Sequence, residues 1–226
     1  MSQSVSNTTL GSPPLIPFED AVSESNNSKL NPELLQRQLD SNFKIFHQNT
    51  RGLSFKTEEF LLSLSKINPQ IICITEHHLK PDETDIMDFG QYTLRTQYCR
   101  MLFKHGGVLI LTLNNIVSDV IELNTYCREK DLEICGLKLQ LPAHSLLILC
   151  VYRSPTGDLS YFLMHLEKLL IKLYIPLVPI ILCGDFNINF ADSSSRAFEL
   201  NHFFVRLACK ALLSFPRESH PLLNQQ

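Results

Sequence analysis

The sequence predicts a layered α/β sandwich, and three observations carry that prediction. Short apolar, β-branched runs recur along most of the chain, punctuated by Gly, Pro and charged turns. A few stretches instead place apolar residues at helical spacing. The first ordered elements run strand, helix, strand, which is the start of a βαβ unit.

In chain order, FKIFHQNTRG (residues 43–52) alternates apolar residues and ends at a Gly, a strand running into a turn. TEEFLLSLSKI (57–67) has helical spacing, Thr57 as N-cap and two acids in its first turn. PQIICITE reads as a buried strand bounded by Pro69 and by the charged loop after Glu76. Five further strands are expected: YTLRTQY (92–98), GGVLILTL (106–113), IVSDVIEL (116–123), LEICGLKLQL (132–141) and SLLILCVYR (145–153), the last two separated by a turn at Pro142. Residues 158–174 are amphipathic behind Asp158 as N-cap. VPIILCGDFN (178–187) is an apolar strand expected to stop at Gly184, and residues 195–213 form a last helix.

The 226 residues suit one domain with a tail, or at most two small domains. A hydrophobic content of 44% with 19% charged residues supports a sizeable core. Residues 1–42, rich in Ser, Asn, Pro and Gln, read as a disordered leader, with folding expected from Phe43. The net charge of −3, without blocks of one sign, argues against a protein that coats nucleic acid by bulk electrostatics. It is compatible with an enzyme that grips a few phosphates beside a metal.

Seven cysteines (Cys73, Cys99, Cys127, Cys135, Cys150, Cys183, Cys209) include no C-x-x-C pair, so a zinc ribbon is not indicated. Several lie in apolar runs and read as small hydrophobes of a reduced, cytosolic or nuclear protein. The longest apolar stretch, Leu169 to Cys183, is broken by Lys172, Pro176 and Pro179, so no membrane span is expected.

Polar residues cluster just past the ends of apolar strands: Asn49, Glu76, Tyr152 with Arg153, and Asp185 with Asn187. Loops at strand ends, held by a rigid scaffold, are where sites are usually built. In CGDFN, a carboxylate at Asp185 can orient a water and the carboxamide of Asn187 can hold a phosphate oxygen; the same residues also suit a plain turn closed by an Asx hydrogen bond. Glu76 is a hard oxygen ligand of the kind Mg2+ takes, or a solvated loop acid. His77 and His78 face opposite ways in an extended stretch and read as loop residues rather than a zinc pair. Arg153 and Arg51 can grip phosphate, and Tyr152 can donate to a phosphoryl oxygen; each also fits an edge-of-core or surface role.

In order, QNTRG, ITEHHL, GGVLI, VYRSP and CGDFN resemble the successive motifs of the endonuclease/exonuclease/phosphatase superfamily, and in particular the endonuclease domain of non-LTR (LINE-type) retrotransposons. The resemblance covers roughly residues 43–217, leaving 218–226 as a tail. It implies a four-layer α/β sandwich with two mainly antiparallel β-sheets flanked by helices, and Mg2+-dependent hydrolysis of a DNA phosphodiester. By the same resemblance Asn49 and Glu76 hold the metal, Tyr152 contacts the scissile phosphate, Asp185 orients the attacking water and Asn187 binds phosphate. Gly106 and Gly107 open a strand. In intact retrotransposons such a domain nicks target DNA to prime reverse transcription.

The family pattern continues past its Phe-Pro-Thr-Arg-like segment, matched here by SFPRES, to a strand bearing an Asp and then a Ser-Asp-His motif. Neither is found in this sequence, which leads to the expectation of a fold incomplete at the C-terminus and of weak or absent hydrolysis. Two alternatives accompany this reading. One is a domesticated remnant that binds DNA or a protein without cutting; the other is a phosphatase of the same superfamily.

Overall fold

The computed structural model describes residues 43–141, 145–189 and 194–213, with side chains of the last helix to Leu207. The leader, the turn at Pro142, the SFPRES segment and the tail lie outside these residues. The strands are β1 (Ile45–Asn49), β2 (Ile71–Thr75), β3 (Tyr92–Tyr98), β4 (Val108–Leu113), β5 (Ser118–Ile121), β6 (Glu133–Gln140), β7 (Ser145–Tyr152) and β8 (Ile180–Asp185). The helices are α1 (Thr57–Leu64), α2 (Pro81–Asp85), α3 (Leu159–Leu173) and α4 (Ser195–Leu213).

Two four-stranded sheets form, in the orders β1-β2-β4-β3 and β5-β6-β7-β8. In each, one pairing is parallel (β1 with β2, β7 with β8) and the others antiparallel. Both parallel pairs are joined through a helix, as parallel crossovers require. Phe60 and Leu64 of α1 pack on Ile72, Ile74, Leu109 and Leu111 of the first sheet. Phe162, Leu166 and Leu169 of α3, with Leu200 and Phe203 of α4, cover Ile134, Leu149 and Val151 of the second. The alternate residues of each strand therefore face the other sheet. That seam holds Cys73, Cys135, Cys150 and Cys183, and the thiol of Cys150 meets the carbonyl of Ile74 across it at 3.6 Å. The described layers are helix, sheet, sheet, helix.

Several local expectations change. The N-cap of α1 is Lys56; the Thr57 hydroxyl instead donates back to the Leu53 carbonyl at 3.2 Å, because the left-handed turn at Phe55 brings that carbonyl within reach. Strand β8 runs through Gly184 to Asp185 rather than stopping at the glycine. Gly184 lies against the Val151 backbone, where a Cβ would come within 1.8 Å of the Val151 carbonyl oxygen, so it serves close strand approach and not a turn. The short α2 goes unpredicted, although Pro81 at its start and Glu83 accepting the Lys80 N–H at 2.7 Å are helix-start signals. Asp158 caps α3 as expected, accepting from the Tyr161 N–H at 3.0 Å.

Candidate active site

The C-terminal ends of β1, β2, β7 and β8 lie at one end of the sandwich, together with the starts of β4 and β6, as the pairing directions dictate. Asn49 sits at the end of β1, Glu76 one residue past β2, Tyr152 at the end of β7, and Asp185 opposite Tyr152 at the end of β8.

The structure brings these residues into contact. The Asn49 amide nitrogen donates to Glu76 Oε1 and to Asp185 Oδ2, both at 2.8 Å. Its Oδ1 accepts the Arg51 N–H at 3.1 Å, so the amide faces the carboxylates with its nitrogen and secures both. As placed, Asn49 orders the carboxylates rather than offering an oxygen to a metal. Glu76 has a left-handed backbone (φ 53°), held by its N–H to the Gly107 carbonyl at 2.8 Å and by the Gly52 N–H on its own carbonyl at 2.7 Å. Such a conformation is uncommon outside glycine and persists where the surroundings dictate it.

Tyr152 is buried, and burial first, then the Glu76 carboxylate, push its phenol above the ordinary range. It stays protonated at neutral pH and remains a donor. Asp185 Oδ1 accepts the Asn187 N–H at 2.9 Å, the Asx turn weighed from the sequence, while the Asn187 amide donates to the Arg153 carbonyl at 2.7 Å. Arg51 is exposed at the rim.

Arg153 departs from its expected role of gripping phosphate. It is fully buried, and its guanidinium donates to the carbonyls of Phe186 (3.0 Å), Gly157 (2.7 Å) and Asn187 (3.2 Å). It fastens the CGDFN turn to the start of α3, with each of its three guanidinium nitrogens engaged by a backbone carbonyl.

Other residues of this end escape the sequence reading. Glu133, fully buried at the start of β6, accepts from Arg100 Nε (2.7 Å), Gly107 N–H (2.6 Å) and Lys130 N–H (2.9 Å). The paired Arg100 guanidinium then lies 5.7 Å from the Tyr152 ring centroid. The signal was a single acid at an inward position of an apolar strand. His47 faces the seam from β1; burial lowers its pKa and the nearby Asp185 raises it, with burial the larger effect. His77 is buried, with Nδ1 accepting the Leu79 N–H and Nε2 facing the Tyr98 carbonyl, so it belongs to the loop framework. His78 lies 3.4 Å from Glu76 Oε2 and 3.3 Å, Nδ1 to Nδ1, from His105. Among the described residues no group of three or more His, Cys, Asp or Glu is arranged to hold a metal.

A family model described as Endonuclease/Exonuclease/phosphatase family matches residues 45–208. The chain belongs to this family. Among solved structures, the endonuclease domain of TRAS1, a telomere-specific non-LTR retrotransposon, is 15% identical, with 73% of this chain and 72% of that one covered and a TM-score of 0.58. An AP endonuclease from Archaeoglobus fulgidus is 15% identical over 73% of this chain and 70% of its own, at a TM-score of 0.53. TDP2 of D. rerio complexed with a single-strand DNA product is 14% identical over 70% of this family member and 64% of its own chain, at 0.51. At these identities the likeness establishes a shared fold. No curated protein matches the sequence. No described helix of this family member is long and apolar enough to cross a membrane.

Proposed function

We propose that this end of the sandwich binds DNA and hydrolyses a phosphodiester with the help of Mg2+. One observation carries the reading: a single amide, that of Asn49, joins Glu76 of one sheet to Asp185 of the other at adjoining strand ends. The printed descriptions of the neighbours, a retrotransposon endonuclease and an enzyme with a DNA product, support DNA as the substrate class.

The donor set fits magnesium, which takes one or two carboxylates and keeps several waters. Glu76 would supply the carboxylate. When bound, the ion would neutralise charge on the phosphoryl group. Asp185 accepts a hydrogen bond from the attacking water and aligns it. The water oxygen bonds to phosphorus as the bridging P–O bond breaks, the water's proton passes to the Asp185 carboxylate, and the leaving alkoxide takes a proton from solvent. The protonated Tyr152 donates to a phosphoryl oxygen, the Asn187 carboxamide binds another, and Arg51 meets an adjoining phosphate from the rim. The six described cysteines are all free, which supports a reducing intracellular setting for the same reading.

The test is nicking of supercoiled plasmid by the full chain with Mg2+, beside Asp185→Ala. Metal-dependent nicking that falls at least about 100-fold in the variant supports hydrolysis, the scale expected for loss of a central group. Equal rates in the two proteins overturn it.

A further inference from the structure

Beside the candidate site two exposed apolar knuckles project from constrained backbone. Phe55 is fully exposed at φ 63°, a left-handed conformation costly for a bulky residue. Met101, Leu102 and Phe103 follow β3, with Met101 69% and Leu102 85% exposed. Their backbone is pinned: the Glu129 carboxylate accepts the N–H groups of Met101 (2.6 Å), Leu102 (2.9 Å) and Phe103 (2.7 Å). Lys80 Nζ donates to the Arg100 carbonyl at 2.6 Å, and the Lys130 ammonium sits 3.4 Å from the Phe103 ring centroid. A cavity of 330 Å³, lined by Ser54, His78, Phe103, Lys104 and His105 among others, adjoins both knuckles, and its His78 touches Glu76.

A rigid backbone displaying apolar side chains to water is built for recognition, since little ordering entropy remains to be lost on binding. The charges around it narrow the partner. Arg100 is paired with Glu133, whereas Arg51, Lys56 and Lys104 are exposed and have no carboxylate partner among the described residues. Exposed cations beside exposed apolar side chains are the combination that grips an unpaired strand, with its phosphates on the cations and its bases on the rings. A duplex hides the faces of its bases in the stack; an unpaired strand offers them.

We propose that Phe55 and the Met101–Phe103 knuckle form a stacking ledge for unpaired bases, so that the domain acts on a DNA strand with a single-stranded segment next to the cut. This rests on the hydrolytic reading and narrows its substrate class.

The experiment is fluorescence anisotropy of the full chain, in EDTA, with a labelled 15-nucleotide single strand and the duplex made from it. The single strand should bind at least about ten-fold more tightly, and its affinity should fall as salt rises. Phe55→Gly removes the ring while relieving the left-handed strain, so melting should stay level or rise as single-strand affinity falls about ten-fold; Phe103→Ala should behave alike in binding. Equal affinity for duplex, unchanged binding by both variants, or no binding to either DNA overturns the ledge. So does self-association abolished by Leu102→Asp, which would assign the surface to a second copy. Plasmid nicking by wild type against Asp185→Ala judges hydrolysis separately, whichever way the anisotropy falls.

Discussion

Asn49 and Asp185, 136 residues apart in the chain, are joined by a 2.8 Å hydrogen bond from the amide nitrogen of one to the carboxylate of the other. The same nitrogen also holds Glu76, so Asn49→Ala leaves two facing carboxylates without their common donor. A cost of about 1–3 kcal/mol in stability is expected from the unmade bonds. Plasmid nicking should drop about 100-fold with it. Urea unfolding and nicking of the variant measure the two effects independently.

Glu133 and Arg100 form a pair that is almost wholly out of water. Removing one partner strands the other, so Glu133→Ala should lose about 3–5 kcal/mol. Glu133→Gln, which keeps an acceptor oxygen, should lose less. The midpoints of chemical denaturation will rank the three proteins; a Glu133→Ala midpoint equal to wild type would refute the pairing.

Gly184→Ala should be among the most damaging single-methyl changes available. Its new carbon would collide with the Val151 carbonyl, which is backbone in the paired strand and has no rotamer by which to escape. A loss of about 4 kcal/mol or more is expected, at the extreme end for point substitutions. The readout is soluble yield, followed by the thermal midpoint of whatever folds.

Acid should loosen the Met101–Phe103 loop before the rest. Burial raises the pKa of Glu129, but the N–H bonds of Leu102, Phe103 and Met101 outweigh it and hold the carboxyl below its ordinary value. A depressed folded pKa means that the contribution is present above the unfolded value near 4.5 and lost as pH falls through the folded one. Amide protection at these three residues should accordingly be full at pH 6 and reduced at pH 3, and Glu129→Gln should remove it at both. Protection that is insensitive to both changes would contradict this.

Strands were legible because β-branched runs such as IICIT and LLILCVY have few other uses, and α4 because its apolar period is unbroken from Ser195 to Leu213. Asn49, Glu76 and Asp185 stood out as polar residues closing apolar strands. What they do to one another was not legible. The contact of the Asn49 nitrogen with both acids depends on the two sheets meeting, and the burial of Arg153 depends on where three carbonyls lie. Glu133 went unremarked because its partner, 33 residues away, is fixed by strand order and not by spacing. Thr57 and Gly184 were misassigned for different reasons: the Thr57 hydroxyl turns back to the Leu53 carbonyl four residues upstream, while Gly184 meets the backbone of a strand far away in the chain.

The four thiols in the seam carry a practical consequence. Contact with a neighbouring thiol raises the pKa of Cys73 and Cys183, and burial raises that of Cys135 and Cys150. None offers a thiolate to a reagent while the two sheets stay together. Alkylation at these positions is therefore a stopwatch already installed in the chain. Mass spectrometry of the labelled protein would time how often the halves part, and whether DNA keeps them shut.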